Sequence, residues 1–214
     1  MATYENGTNT RQAIIDACKT LFYNKGFHET GFSDICETAH VNRGTIYYHF
    51  ENKETIRYEV LWEYIISYKH ICERFCPDAR YHYIISMYLF WDRTKTDEKL
   101  RRFVLEICQD YPIYTGKLDM SHFHFAVYDN LWGNFMEKQA IPDLSFASVY
   151  GYVMSCLRMI CEHPEHYDTW ELFEHCVNAS TSIWGVPQET LDQIWSDMKH
   201  YISMIPKSEL SLSF

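Results

Sequence analysis

The chain has 214 residues, 47% of them hydrophobic and 22% charged, with only 8 Gly and 6 Pro. That composition buries a core without metal or disulfide staples and excludes a disordered chain or a many-turned all-β fold. The formal net charge of −10 counts against nucleic acid only until it is divided: residues 1–57 hold six Lys/Arg against seven Asp/Glu, whereas the rest of the chain holds 13 against 22. Acidity belongs to the C-terminal part, so only the N-terminal segment is expected to face an anionic surface. The start, MATYENGTNT, is polar and lacks the basic and apolar regions of a secretory leader. No apolar run approaches the ~20 residues that span a bilayer, and a cytoplasmic protein with no membrane partner is expected.

Apolar residues recur at spacings of three and four, which predicts helix throughout. A first helix is expected from about Thr10 to Asn24, with Ile14, Cys18, Leu21 and Phe22 on one face and Gly26 as its stop. Thr30 is expected to cap a short second helix ending near Ala39, whose inward face is Phe32, Ile35, Cys36 and Ala39. After the tight connection His40-Val41-Asn42, Asn42 caps a third helix running through Phe50, and Asn52 caps a fourth that continues to about Phe75. Pro77, Thr94 to Thr96, Pro112, Pro142, Pro164 and Pro187 divide the remainder into segments near 78–93, 97–110, 121–139, 144–163, 167–184 and 188–204. The last carries the cleanest stripe, Leu191, Ile194, Trp195, Met198, Tyr201, Ile202 and Ile205.

Two short helices joined by a three-residue turn form a helix-turn-helix, in which the first helix braces the second against the major groove. Residues 30–50 fit that scheme, although His40 stands where the left-handed first position of the turn usually takes Gly. Ile46 and Phe50, spaced i and i+4, face inward and leave Arg43, Thr45, Tyr48 and His49 outward, with Tyr47 at the boundary. The guanidinium fork of Arg43 suits the O6 and N7 of guanine, and Thr45 and Tyr48 are placed for bases or phosphates. Gly44 is expected to permit close approach to the duplex.

The stretch TGFSDICETAHVNRGTIYYHFENKETI, above all GTIYYHF with Lys53 shortly after it, resembles the tetracycline-repressor-like (TetR) family. The resemblance covers roughly residues 10–60. It implies an all-α protein with a three-helix DNA-binding domain over 1–55 and an all-helical effector-binding and dimerisation domain over 56–214. By the same resemblance Tyr47, His49 and Lys53 are clamps on the DNA backbone, and Thr30 meets phosphate at the start of the second helix. The implied function is a one-component transcriptional regulator that binds a palindromic operator as a homodimer, a repressor released by a small-molecule effector. A regulator controlled by a protein partner, and a helical enzyme, are the alternatives; against the enzyme stands the lack of GxSxG, Walker, HExxH or Gly-rich dinucleotide motifs.

In that family the fourth to seventh segments surround the effector cavity. Here they carry Tyr64, Tyr68, Tyr88, Trp91, Phe103, Ile107, Tyr111, Phe125, Tyr128 and Trp132, which with Glu106, Asp110 or Asp129 suit a flat aromatic or cationic ligand. The segments 144–163 and 167–184 occupy the place of the family's dimer interface, which assigns Val149, Tyr152, Val153, Cys156, Leu157, Ile160, Phe173, Cys176 and Val177 to it. Ser145, Ser148, Gly151 and Ser155 favour close helix approach. The final amphipath is an added cover, either there or on its own subunit. The eight cysteines include no CxxC pair and are expected to be buried thiols. Among the eleven histidines, His122 and His124 diverge on a helix, and His163 and His166 straddle Pro164, so no metal or other cofactor is assigned.

Overall fold

A computed structural model describes residues 2–110, 131, 135 and 142–210, with side chains from residue 7 in the first stretch and from residue 148 in the last. The described residues form helices with no strand: α1 (Ala2–Asn24), α2 (Phe32–Ala39), α3 (Arg43–His49), α4 (Lys53–Phe75), α5 (His82–Thr96), α6 (Glu98–Gln109), α7 (Pro142–Glu162), α8 (Thr169–Ser182) and α9 (Gln188–Met204). Apart from residues 131 and 135, the segment expected near 121–139 lies outside the described residues, as do His122, His124, Tyr111, Phe125, Tyr128 and Trp132. The chain divides into two compact units at a boundary inside α4, one reaching Tyr64 and the other starting at Ile65.

In the N-terminal unit, Ile14, Cys18 and Phe22 lie one turn apart on α1 and are fully buried, with Phe27, Ile35, Ile46, Phe50, Ile56 and Val60 completing the core. Gly26 ends α1 with a φ of 100°, donating its N–H to the Phe22 carbonyl, and the chain doubles back so that the Phe22 and Phe27 rings meet edge to face at 5.3 Å. The cap of α2 is Gly31 rather than Thr30: the Asp34 carboxylate accepts the Gly31 N–H at 2.7 Å, while the buried Thr30 hydroxyl donates to the Gly26 carbonyl at 2.6 Å. His40 takes the left-handed conformation at φ 54°, ψ 41°, and so makes the turn that a Gly would ordinarily make. Asn42 caps α3 by accepting the Thr45 N–H at 2.9 Å.

In the C-terminal unit α5 packs against α6, α7 and α8, and α7 against α6 and α8. Asp97 joins α5 to α6: it accepts the Lys99 and Leu100 N–H groups and the Arg93 guanidinium. Trp91, Phe173 and Trp195 bring α5, α8 and α9 together, with Trp91 and Phe173 at 5.2 Å and Phe173 and Trp195 at 6.4 Å. The stripe of α9 packs on its own chain. Leu191, Ile194, Trp195 and Met198 are buried, the Trp195 indole donates to Asn178 at 2.9 Å, and the Tyr81 hydroxyl donates to Asp197 at 2.6 Å. All eight thiols are free, seven of them buried and Cys36 half-buried. Burial pushes Cys18, Cys72 and Cys108 up to about 12, which keeps them protonated.

Candidate nucleic-acid interface

Recognition by a short helix needs one face locked and the other free. On α3 the locked face is Ile46, with Phe50 just beyond it; both are buried. On the free face Tyr48 is 83% exposed and Tyr47 48%, and Arg43 and Gly44 are exposed. Thr45 and His49 are half-buried; the Thr45 N–H is held by the Asn42 cap, and the His49 ring packs edge to face on Tyr48 at 4.9 Å.

Arg43 is oriented before any ligand arrives. Its guanidinium lies 4.9 Å from the centre of the Phe32 ring and 5.6 Å from that of Tyr47, and Nη2 donates to the Tyr47 hydroxyl at 3.0 Å. The Phe32 and Tyr47 rings are themselves 5.3 Å apart. An arginine stacked on rings has lost part of its rotamer freedom, and its partner here is a neutral hydroxyl, so its charge stays available to a base edge or a phosphate. Phe32 is a contributor expected from the sequence only in the core; the i, i+4 pair Arg43 and Tyr47 gives no sign of a second ring, from α2. Gly44 has a further reason to be small, since a Cβ there would sit 3.2 Å from the Asn42 amide oxygen that caps the helix.

Two expected phosphate contacts have internal roles instead. Thr30 is buried and its hydroxyl is engaged by Gly26, so that side chain offers nothing to a phosphate. The Lys53 ammonium donates to the Phe27 carbonyl at 2.8 Å and the Thr30 carbonyl at 2.9 Å, and stands 4.2 Å above the Phe27 ring. Arg57, fully buried, lies 4.2 Å from the same ring centre. Lys53 thus ties the start of α4 to the turn between α1 and α2.

Those of the expected effector-pocket residues that the structure describes are mostly buried. Tyr64, in the N-terminal unit, is buried with Lys19 5.0 Å from its ring. In the C-terminal unit Tyr68, Trp91, Phe103 and Ile107 are buried and Tyr88 half-buried, its ring against Trp170 at 5.1 Å and Phe173 at 5.7 Å. The Tyr68 hydroxyl and the Trp91 indole N–H are buried with no hydrogen-bond partner among the described residues. Burial is also the main reason that the Tyr68 phenol is pushed well above its ordinary value.

The expected dimer face needs correction. Val149, Cys156, Leu157, Ile160, Phe173 and Cys176 are buried within one chain, and Val153 and Val177 are half-buried. The apolar stripe that periodicity picks out is the side of α7 and α8 turned to their own core. Tyr152 alone of the nine is exposed, at 36%, with its ring 6.4 Å from that of His175 on α8; Ile183 just past α8 is 44% exposed.

Residues 14–60 match the sequence model for bacterial regulatory proteins of the tetR family. The HTH-type transcriptional regulator TtgR of Pseudomonas putida is 47% identical over 51 residues, 24% of this chain and 24% of that protein. The HTH-type transcriptional regulator AcrR of Shigella flexneri is 38% identical over 61 residues, 28% of each chain. The chain thus matches about a quarter of the length of these curated relatives. Among solved structures, NalD, the secondary repressor of the MexAB-OprM multidrug efflux pump in Pseudomonas aeruginosa, aligns over 84% of this chain and 97% of its own at 21% identity and a TM-score of 0.42. No described helix is long and apolar enough to cross a membrane. The matched segment falls on α1 to the start of α4, so it is the helix-turn-helix unit of this chain that is similar to the tetR family of bacterial regulatory proteins.

Proposed function

We propose that the chain is a transcriptional regulator that binds double-stranded operator DNA through α3, as a homodimer, and acts as a repressor. The observation that carries this reading is the pre-oriented Arg43, stacked on Phe32 and hydrogen-bonded to Tyr47, beside an open Tyr48 on a helix whose other face is buried. In the major groove Arg43 reads guanine through O6 and N7, Tyr48 meets a thymine methyl or the backbone, and Tyr47 and His49 meet phosphates. Lys53 acts here as a brace, not a clamp.

A palindromic operator needs two copies of α3 about 34–36 Å apart, which an isologous dimer supplies. Its surface is the outer side of α7 and α8 at Tyr152 and His175, continuing to Ile183. An effector that accepts hydrogen bonds from Tyr68 and Trp91 fits the C-terminal unit, since both buried donors gain a partner on its arrival. Hydroxyl-radical footprinting on an operator fragment tests the DNA reading: two protected patches one helical turn apart are expected, fading as salt rises. Uniform protection with no repeat refutes it. Tyr68→Phe separates the effector reading, because it weakens ligand-induced stabilisation and leaves the footprint intact.

A further inference from the structure

The connection between α7 and α8, His163-Pro164-Glu165-His166-Tyr167-Asp168, gathers three metal-ligating side chains on one turn. Straddling Pro164 does not set His163 and His166 apart, because α7 ends at Glu162 and the His166 N–H closes a turn on the His163 carbonyl at 3.1 Å. The turn brings the two imidazoles to 5.5 Å between ring centres and the Glu165 carboxylate to 3.2 Å from His166 Nδ1. One donor atom from each of His163, Glu165 and His166 lies within 4.8 Å of the other two, and all three residues are exposed.

The backbone under these side chains is held at both ends. The His163 N–H still bonds the Met159 carbonyl, the Tyr167 carbonyl accepts the Lys95 ammonium at 2.6 Å, and Asp168 caps α8 through the Glu171 N–H. Zinc takes imidazole nitrogen and carboxylate oxygen at about 2.0–2.2 Å, which in tetrahedral geometry sets donors roughly 3.3 Å apart. The donors, already within 4.8 Å of one another, belong to three exposed side chains, whose rotation is the adjustment that distance calls for. Two imidazoles and one carboxylate suit late first-row divalent ions and are a poor match to Mg²⁺, which favours an all-oxygen octahedron.

We propose that His163, Glu165 and His166 form a binding site for a late first-row divalent metal ion, represented by Zn²⁺, with water completing its coordination. The site is separate from α3 and does not depend on the DNA-binding reading.

The test uses the full chain without a polyhistidine tag. Zn²⁺ is titrated in competition with a chromophoric chelator, and Cu²⁺ loading is followed by electron paramagnetic resonance. One equivalent of Zn²⁺ is expected, unaffected by excess Mg²⁺, and the Cu²⁺ spectrum is expected to show nitrogen coupling from two imidazoles. The double variant His163→Gln, His166→Gln is expected to lose affinity by on the order of 100-fold or more, beyond the usual cost of losing an outer-shell partner, with unchanged circular dichroism. No uptake by the parent chain, uptake unchanged in the double variant, or thiolate ligation in the Cu²⁺-loaded parent overturns the proposal. The resonance measurement uses the unaltered chain, so it decides the ligand set even if the variant folds poorly.

Discussion

Lys53→Met removes the ammonium and keeps most of the stem, and it separates a brace from a phosphate clamp. The two donations to the Phe27 and Thr30 carbonyls are charge-assisted, each contributing about 1.5–3 kcal/mol when buried. Lys53 is half-exposed, so solvent screening reduces the pair to roughly 2–3 kcal/mol, to which its place over the Phe27 ring adds about 0.5–1 kcal/mol. A loss of about 2.5–4 kcal/mol, followed by chemical denaturation with a helical signal, is expected. Binding to duplex DNA is then measured across a salt series. A lost phosphate contact lowers the slope of log K against log salt by about 0.9, whereas a lost brace lowers affinity in parallel at every salt concentration. A variant as stable as the parent with a slope reduced by about 0.9 refutes the assignment.

The α7–α8 surface gives a paired prediction. Phe173→Ala opens a cavity among Tyr88, Trp91 and Trp195 and is expected to cost about 3–5 kcal/mol with the association state unchanged, whereas Tyr152→Glu is expected to change stability by less than about 0.5 kcal/mol and shift sedimentation towards monomer. If Phe173→Ala dissociates an otherwise stable chain, the stripe is an interface after all. His40→Gly relieves a left-handed side chain and is expected to stabilise by about 1 kcal/mol in a denaturant titration; a loss of stability contradicts the turn described here. The Lys25 ammonium and the Gly31 N–H hold the Asp34 carboxyl below its ordinary 3.8. A group with a depressed folded value stabilises fully above its unfolded value and loses that contribution as pH falls through the folded one. Asp34→Asn is therefore expected to flatten the acid limb of a stability–pH profile, and an unchanged limb contradicts the cap.

The helix α3 was legible because three signals agree in one short stretch: the Asn42 cap, the i, i+4 pair Ile46 and Phe50, and the outward residues between them. His40 at the turn was legible as a departure and takes the left-handed backbone that the turn requires. Thr30 was misplaced because Thr and Gly both begin helices, and only the fold shows that the Thr30 hydroxyl turns back to Gly26 while Asp34 caps from inside the helix. Phe173 and Ile160 expose a general limit: periodicity identifies the apolar side of a helix but not whether its own chain or a second copy covers it. Thr94 to Thr96 read as a break, yet Asp97 accepts from Arg93 and caps the next helix, so α5 continues to its edge. The brace made by Lys53 was hidden for a related reason, since its partners are backbone carbonyls 23 and 26 positions away and carbonyls carry no residue signature.

Selection of bound sequences from a random duplex library, with the parent chain and Arg43→Ala in parallel, tests the central claim most directly. The parent is expected to enrich a palindrome with a guanine in each half-site, and Arg43→Ala to lose preference at that guanine, a discrimination worth about 1–3 kcal/mol. No enrichment at any salt concentration, or the same consensus from Arg43→Ala, contradicts the account.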